Sequence, residues 1–378
     1  MSRLILAFFL SILGYGQIMS PIVAGSGGAF TLTATTVGAS KTVTITRLTL
    51  NGIATLNWGD GSTTVITSQS TGTWTHVYAT GGTYTIKLPN ARMIVGLSLS
   101  DAQLGGMNTN QLRSSSINYF NVTAITGSTI RSADMSAWRP TTWELASMPT
   151  GTYTISSADM SAWRPAYWEL YSMLTGGTYS ISSADMSAWR PTTWELLSMP
   201  TGTYTISSAD MSAWRPTTWY LASLPTGTYT ISSADMSAWR PAAWYLFSMP
   251  TGGTYSISSS DMSAWTTTQI IYLYANVGQV TAINSYTDFT GLVALRNLQL
   301  QNNALTQAQV NAVLQGLWTA RASFTYATPS LTINGTNAAP SGIYQTNCPT
   351  PATGKEWAYD LVHETCTGGG YPWTVTTN

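Results

Sequence analysis

The sequence predicts a mainly β chain with short helices, built as a solenoid of 25–26-residue repeats behind a small β-sandwich. Three observations predict it. First, the nonapeptide Ser-Ala-Asp-Met-Ser-Ala-Trp-Arg-Pro begins at 132, 157, 183, 208 and 233, and a degenerate copy runs from Ser259 to Trp265. The intervals are 25, 26, 25, 25 and 26 residues, a fixed period that belongs to units burying their apolar faces by stacking on one another. Second, each copy after the first follows a Tyr-x-Ile segment, such as Tyr153-Thr154-Ile155, with the alternation of a half-buried strand. Third, residues 30–88 form a series of short β-prone segments separated by Gly-containing turns.

Taken in order, the chain opens with Arg3 and ten mostly apolar residues, 4–13. That is the pattern of a secretory leader and is too short to span a bilayer, so export is expected, with no membrane span in the mature chain. The expected divisions are a leader-like segment 1–24, a β-sandwich 25–92, a solenoid 93–322 with near-identical repeats over 132–265, and a C-terminal capping module 323–378.

Within the first module, Thr42-Val-Thr-Ile-Thr46 alternates and Asn51-Gly52 marks a tight turn before 53–58. Trp58-Gly59-Asp60-Gly61-Ser62, His76-x-Tyr78 and Gly82-x-Tyr84-x-Ile86 follow. This set resembles the PKD-type β-sandwich, a resemblance that implies a non-catalytic spacer or adhesive module of exported proteins. His76 then reads as an inter-strand hydrogen-bonding residue and Asp60 as a turn residue.

From 93 the grammar changes. Leu97-x-Leu99, with Ala102 and Leu104 beyond, fits a template that Tyr153-x-Ile155, with Ala158 and Met160, also fits. Leu295-x-x-Leu298-x-Leu300-x-x-Asn303-x-Leu305 states it in full. The chain therefore resembles leucine-rich-repeat proteins over 93–320, and the resemblance implies a parallel sheet whose outer face binds partners. Ala stands in the central copies where that family uses Asn to bond the turn.

Each rung is then expected to hold a Tyr-x-Ile strand, a Met-Ser-Ala-Trp turn and a short helical return opened by Arg-Pro, with Trp143, Leu145 and Met148 facing the core. Stacking turns repeated residues into columns. Trp138, Trp163, Trp189, Trp214 and Trp239, and the second series Trp143 to Trp244, read as core and not as a sugar-stacking surface. Asp159 and its equivalents stack like charges about 5 Å apart, and Arg164 and its equivalents are expected to pair with them, leaving no metal site. Thr306 with Gln309 predicts a capped helix carrying Val310, Val313, Leu314 and Leu317 on one face, and 355–363 reads as a second small helix.

Charged residues are only 8% of the chain, with zero formal net charge. Nucleic-acid binding, which requires clustered cations, is therefore not expected. The two histidines sit in separate modules and no phosphate loop is present, so neither enzymatic chemistry nor a cofactor is expected. Cys348 and Cys366 are close enough to close a short disulfide loop in an oxidising compartment.

What faces outward on the strands is hydroxyl: Thr152, Thr154 and Ser156, then Thr178 and Ser180, Thr203 and Thr205, Thr228 and Thr230, Thr254 and Ser256. A uniform lattice suits a repetitive ligand. The expected function is therefore non-enzymatic binding or adhesion outside the cell, to glycans or other repetitive surfaces. Self-assembly into fibres or decoration of a virion is the alternative, and ice binding a third.

Overall fold

The computed structural model describes residues 28–67, 72–250, 252–259, 261–265, 272–276, 283–285, 288–364, 366 and 370–378. The apolar segment 4–13 lies outside them. Among the described residues the strands form four sheets of five, twelve, seven and two strands, with two α-helices, Gln307–Ala320 and Gly354–His363. The solenoid predicted from the period is present. It has parallel sheets on two sides and a single continuous apolar core between them.

One side is the seven-stranded sheet. Its strands, such as Gly151–Ser156 and Thr178–Ser182, hold the Tyr-x-Ile motif. Tyr153, Ile155, Tyr179 and Ile181 point inward at 1–2% exposure. A one-turn 3-10 helix, Ser157–Met160 in the second copy, carries the chain off the strand and buries Met160 and Trp163 completely.

The other side corrects the sequence reading. The return arm is a strand and not a helix: Thr142–Ala146, Tyr167–Tyr171, Thr193–Leu197, Thr218–Ala222 and Ala243–Phe247 pair in parallel within the twelve-stranded sheet. The reason lies in the side-chain period. Trp143 and Leu145 are two residues apart, both fully buried, while Thr142 and Glu144 between and beside them are half-exposed, an alternation only a strand produces. Proline before the segment is compatible with a strand entry as well as with a helix start. Each strand ends at a serine in the left-handed region, Ser147, Ser172, Ser198, Ser223 and Ser248, with φ between 47° and 51°.

The repeat template spans both sheets. The strands bearing Leu97-x-Leu99 and Leu298 belong to the twelve-stranded sheet, alongside Trp143-x-Leu145, whereas Tyr153-x-Ile155 lies in the other sheet. The Tyr-x-Ile segments are therefore not the structural equivalents of the Leu298 strand.

The two sheets stack differently. In the twelve-stranded sheet equivalent residues pair: Trp143 with Trp168, Trp168 with Trp194, Trp194 with Trp219 and Trp219 with Trp244. Their indoles stack at 5.6–5.9 Å with interplanar angles of 12–18°. The second tryptophan series meets this stack edge to face, as in Trp168–Trp189 at 6.0 Å and 62°, a favoured aromatic geometry. In the seven-stranded sheet each rung slips by two residues, so that Ile155 pairs with Tyr179 and Ile181 with Tyr204.

The ends are closed by non-repeating structure. Arg47–Leu50 from the N-terminal module pairs antiparallel with Ile94–Leu99 and forms the terminal strand of the twelve-stranded sheet. At the far end Ser330–Thr332 and Thr374–Thr376 add two more parallel strands. The Gln307–Ala320 helix starts in the predicted Thr306–Gln309 capping box and buries Val310, Val313, Leu314 and Leu317. Among the described residues no helix is long and apolar enough to cross a membrane.

Candidate functional site

The predicted hydroxyl positions all lie on the outer face of the seven-stranded sheet. Thr152, Thr154, Thr178, Ser180, Thr203, Thr205, Thr228, Thr230 and Thr254 are exposed, and Ser156 and Ser256 are half-buried. The two-residue slip equals the pleat period, so outward residues still meet outward residues. Thr154 pairs with Thr178, Ser180 with Thr203, Thr205 with Thr228 and Thr230 with Thr254. The result is a grid with about 4.8 Å between strands and about 6.7 Å along them. Rows of equivalent residues run across it diagonally, one all Thr from Thr152 to Thr254 and one mixed from Thr154 through Ser180 to Ser256. Among the described residues the hydroxyls of Thr154, Thr178, Thr205 and Thr230 make no bond within the chain, which leaves them to solvent or a ligand.

Behind that face, the aspartate and arginine columns do not pair as predicted. Asp159 accepts the Ser132 hydroxyl at 2.5 Å, and Asp185, Asp210, Asp235 and Asp261 accept Ser157, Ser183, Ser208 and Ser233 in the same way. Arg164 instead turns back on its own chain and donates to the carbonyls of Ser161, at 3.2 Å, and Trp163. The guanidinium is held beside the turn it leaves, out of reach of the carboxylate two residues inside the 3-10 helix. Among the described residues Arg113 and Asp134 form an ion pair at 2.9 Å, and His76 Nε2 lies 2.7 Å from Asp60 Oδ2.

A second patterned face lies on the strands that the Arg-Pro signal predicts as helices. On the outer side of the twelve-stranded sheet Glu144, Glu169 and Glu195 stand in register on adjacent strands, and Tyr220 and Tyr245 continue the column with rings 4.4 Å apart. Asn121 donates to Glu144, and the Tyr167 hydroxyl donates to Glu169. Burial and the neighbouring Glu169 charge push Glu144 up to about 7; burial and the charges of Glu169 and Glu144 do the same to Glu195. The signal was present in the Trp-x-Leu alternation, which has period two and not 3.6.

Ser62 and Asp60 both contact His76. One ring nitrogen, Nε2, contacts both Asp60 Oδ2 at 2.7 Å and Ser62 Oγ at 3.3 Å, while the Ser62 hydroxyl donates to Asp60 Oδ1 at 2.5 Å. A proton relay needs the acid and the nucleophile on opposite ring nitrogens. Here the serine hydrogen goes to the aspartate, so the cluster pins a turn. Burial opposes ionisation of Asp60, but the Ser62 hydroxyl and amide and the His76 ring outweigh it and hold the carboxyl down to about 2. Gly59 in this turn has φ 91°, and a side chain there would strike the Thr85 backbone at 2.6 Å.

Cys348 and Cys366 form a disulfide. With Asp360 they are the one described group of three metal-type ligands that lie close together. Both sulfurs are committed to each other, which leaves Asp360 as the sole ligand of that trio. Comparison with known proteins found no matching family, no matching curated protein and no matching solved structure.

Proposed function

We propose that the chain is a non-enzymatic binding or adhesion protein that acts outside the cell, presenting the outer face of its seven-stranded sheet to glycans or another repetitive surface. The observation that carries this reading is the hydroxyl grid, in which exposed Thr and Ser recur at fixed spacing over successive rungs. A unique protein epitope calls for varied contact residues, whereas a periodic polymer can engage the same hydroxyl pair on every rung. The leucine-rich-repeat grammar of 295–305 and the PKD-like motifs of 58–86 support an exported binding protein in general, while the choice of the seven-stranded face rests on the grid alone, because Leu298 lies in the twelve-stranded sheet. The closed Cys348–Cys366 bridge supports an oxidising location. A glycan array probed with the full chain tests the proposal. Binding that is lost in the Thr205→Tyr/Thr230→Tyr variant supports it; binding to no glycan, or binding indifferent to that variant, overturns it.

A second reading, self-assembly into fibres or onto a virion, draws on the charged columns. Arg139, Arg164, Arg190, Arg215 and Arg240 are exposed, and Glu144, Glu169 and Glu195 repeat with the same one-per-rung spacing. Two copies can therefore match column to column. Electron microscopy at low and high salt decides it, at pH 8, above the value of about 7 to which Glu144 and Glu195 are raised: filaments that dissolve as salt screens the charges support assembly, and dispersed particles under both conditions reject it.

A further inference from the structure

Away from the repeats, the Gly354–His363 helix lies against the Thr374–Thr376 strand. A cleft of about 450 Å³ opens between them, lined by Tyr344, Tyr359, Val362, His363, Val375 and Thr377 among others. Sites for small ligands have volumes of about 300–1,000 Å³.

The walls combine ring faces with hydrogen-bonding groups. Tyr359 and His363 stack at 4.1 Å and 20°, and Tyr344 is 52% exposed. The Tyr344 hydroxyl donates to Thr377 Oγ1 at 2.5 Å, and the Thr377 hydroxyl donates to the Asn378 carbonyl at 3.3 Å. His363 Nδ1 lies 2.9 Å from the Tyr359 carbonyl oxygen. A carbonyl only accepts, so Nδ1 carries the hydrogen, which leaves Nε2 as the ring nitrogen that faces a ligand.

The strand contributes backbone. Thr374 N–H donates to the Pro329 carbonyl and Ile333 N–H to the Thr376 carbonyl, both at 2.9 Å. In a parallel ladder these bonds alternate along the strand. Thr374 and Thr376 therefore serve the neighbouring strand, while the Val375 N–H and C=O point to the sheet's terminal edge, where Val375 lines the cleft.

The cleft is also held in shape. Trp373 N–H donates to the Leu361 carbonyl at 2.8 Å, tying strand to helix. Glu356 accepts from the Ala352 and Thr353 amides and from Gln345, next to Tyr344. The Cys348–Cys366 bridge fastens the same loop to the end of the helix.

We infer that this cleft binds a pyranose ring, as a single sugar or as the end of an oligosaccharide. A pyranose has apolar C–H faces that pack on aromatic rings and an equatorial rim of hydroxyls that both donate and accept. The rings of Tyr344 and Tyr359 supply the first requirement. Val375 N–H and C=O, the Thr377 hydroxyl and His363 Nε2 supply the second. Addition of a peptide strand fits less well: with Trp373 N–H taken by Leu361, the three-residue strand offers one outward peptide pair, that of Val375. The inference rests on none of the solenoid residues invoked for the grid.

Saturation-transfer NMR of the full chain tests it, with methyl β-glucopyranoside, methyl β-galactopyranoside, methyl α-mannopyranoside and N-acetylglucosamine as probes. Transfer to the ring protons of at least one sugar is expected. Tyr344→Ala and Tyr359→Ala should each weaken binding about tenfold or more, equivalent to about 1.4 kcal/mol. Tyr344→Phe keeps the ring and should stay within about threefold, and Thr205→Tyr/Thr230→Tyr should bind normally. Unchanged near-ultraviolet circular dichroism certifies that each variant is folded. Two results overturn the inference: no transfer to any of the sugars, or transfer that survives the Tyr344→Ala/Tyr359→Ala double variant. Transfer to acetyl-Thr-Val-Thr-amide with none to the sugars assigns the cleft to strand addition and overturns it equally.

Discussion

The Ser183 hydroxyl donates to Asp210 of the following rung at 2.5 Å and accepts the Ser207 amide at 2.8 Å. Ser183 is completely buried. One hydroxyl thus satisfies a backbone donor and a carboxylate of the next repeat, and the same arrangement joins every pair of neighbouring rungs from Ser132 to Asp261. In Ser183→Ala both partners lose their bond at once. An unsatisfied buried group costs about 1–3 kcal/mol, so a loss of about 2 kcal/mol is expected by denaturant unfolding. Ser212→Ala, at an exposed turn position, should change stability by less than about 0.5 kcal/mol.

The tryptophan columns should show a different response. Trp194 is fully buried between Trp168 and Trp219, and its indole N–H has no oxygen or nitrogen acceptor. Its contribution is therefore volume and ring contact and not a hydrogen bond. Trp194→Ala should cost about 3–5 kcal/mol and should split the unfolding transition, because a solenoid couples only through nearest neighbours. Trp194→Phe, which forfeits no hydrogen bond, should cost clearly less. Equal losses in the two variants would show that the indole edge has a role beyond packing.

Ser198 carries a left-handed backbone, φ 47°, at an exposed corner. The conformation costs a non-glycine residue about 1–2 kcal/mol, and asparagine tolerates it better than serine. Ser198→Asn should raise the melting temperature, and combining it with the same change at Ser172 and Ser223 should add up. Ser198→Val, branched at the β carbon, should lower it. A neutral result for both would mean that the corner relaxes at little cost.

These residues also show what the sequence made legible. The period, the inward Tyr-x-Ile and Trp columns, the Thr306 capping box and the Cys348–Cys366 pair were readable, because each depends on local chemistry or on repetition. The return strand was not. Arg-Pro is a signal for a helix start as well as a strand entry, and as a helix start it outweighs the brief period-two Trp-x-Leu alternation of a five-residue segment. That one choice concealed the glutamate column, since residues two apart share a face on a strand and not on a helix. The Asp–Arg pairing failed for another reason. Spacing along the chain placed Arg164 near Asp159, but the carboxylate's partner is Ser132, on the preceding rung, which only the stacking of rungs reveals.

Reduction offers a test confined to the C-terminal end. The Cys348–Cys366 bridge closes a loop across 18 residues, and a bridge of this size stabilises by about 3 kcal/mol in the chain-entropy account. Its loss should loosen the Gly354–His363 helix and its contact with the Thr374–Thr376 strand while leaving the repeats intact. Hydrogen exchange with and without reductant should show faster exchange at Trp373 N–H, which bonds Leu361, and unchanged protection in the Thr193–Leu197 strand. Faster exchange in both regions would mean that the end module and the rungs unfold together.

The glutamate column makes a prediction about pH whose sign follows from the direction of the shifts. Glu144 and Glu195 are raised from 4.5 to about 7 in the folded chain. Between those values the folded state holds protons that the unfolded state has released, so stability is greatest at the acidic end and falls as pH rises toward 7. Both side chains are about half-exposed. Unscreened shifts of this size correspond to about 3 kcal/mol each, and solvent screening reduces the expectation to about 1 kcal/mol each. Asp60, held down to about 2, titrates below this window and does not mask it. Denaturant unfolding from pH 5 to pH 8 should therefore show a decline that flattens in Glu144→Gln/Glu195→Gln, with the variant more stable than the parent at pH 8. A parent whose stability is level across that range would mean that the column stays hydrated enough to ionise at the ordinary carboxylate pH.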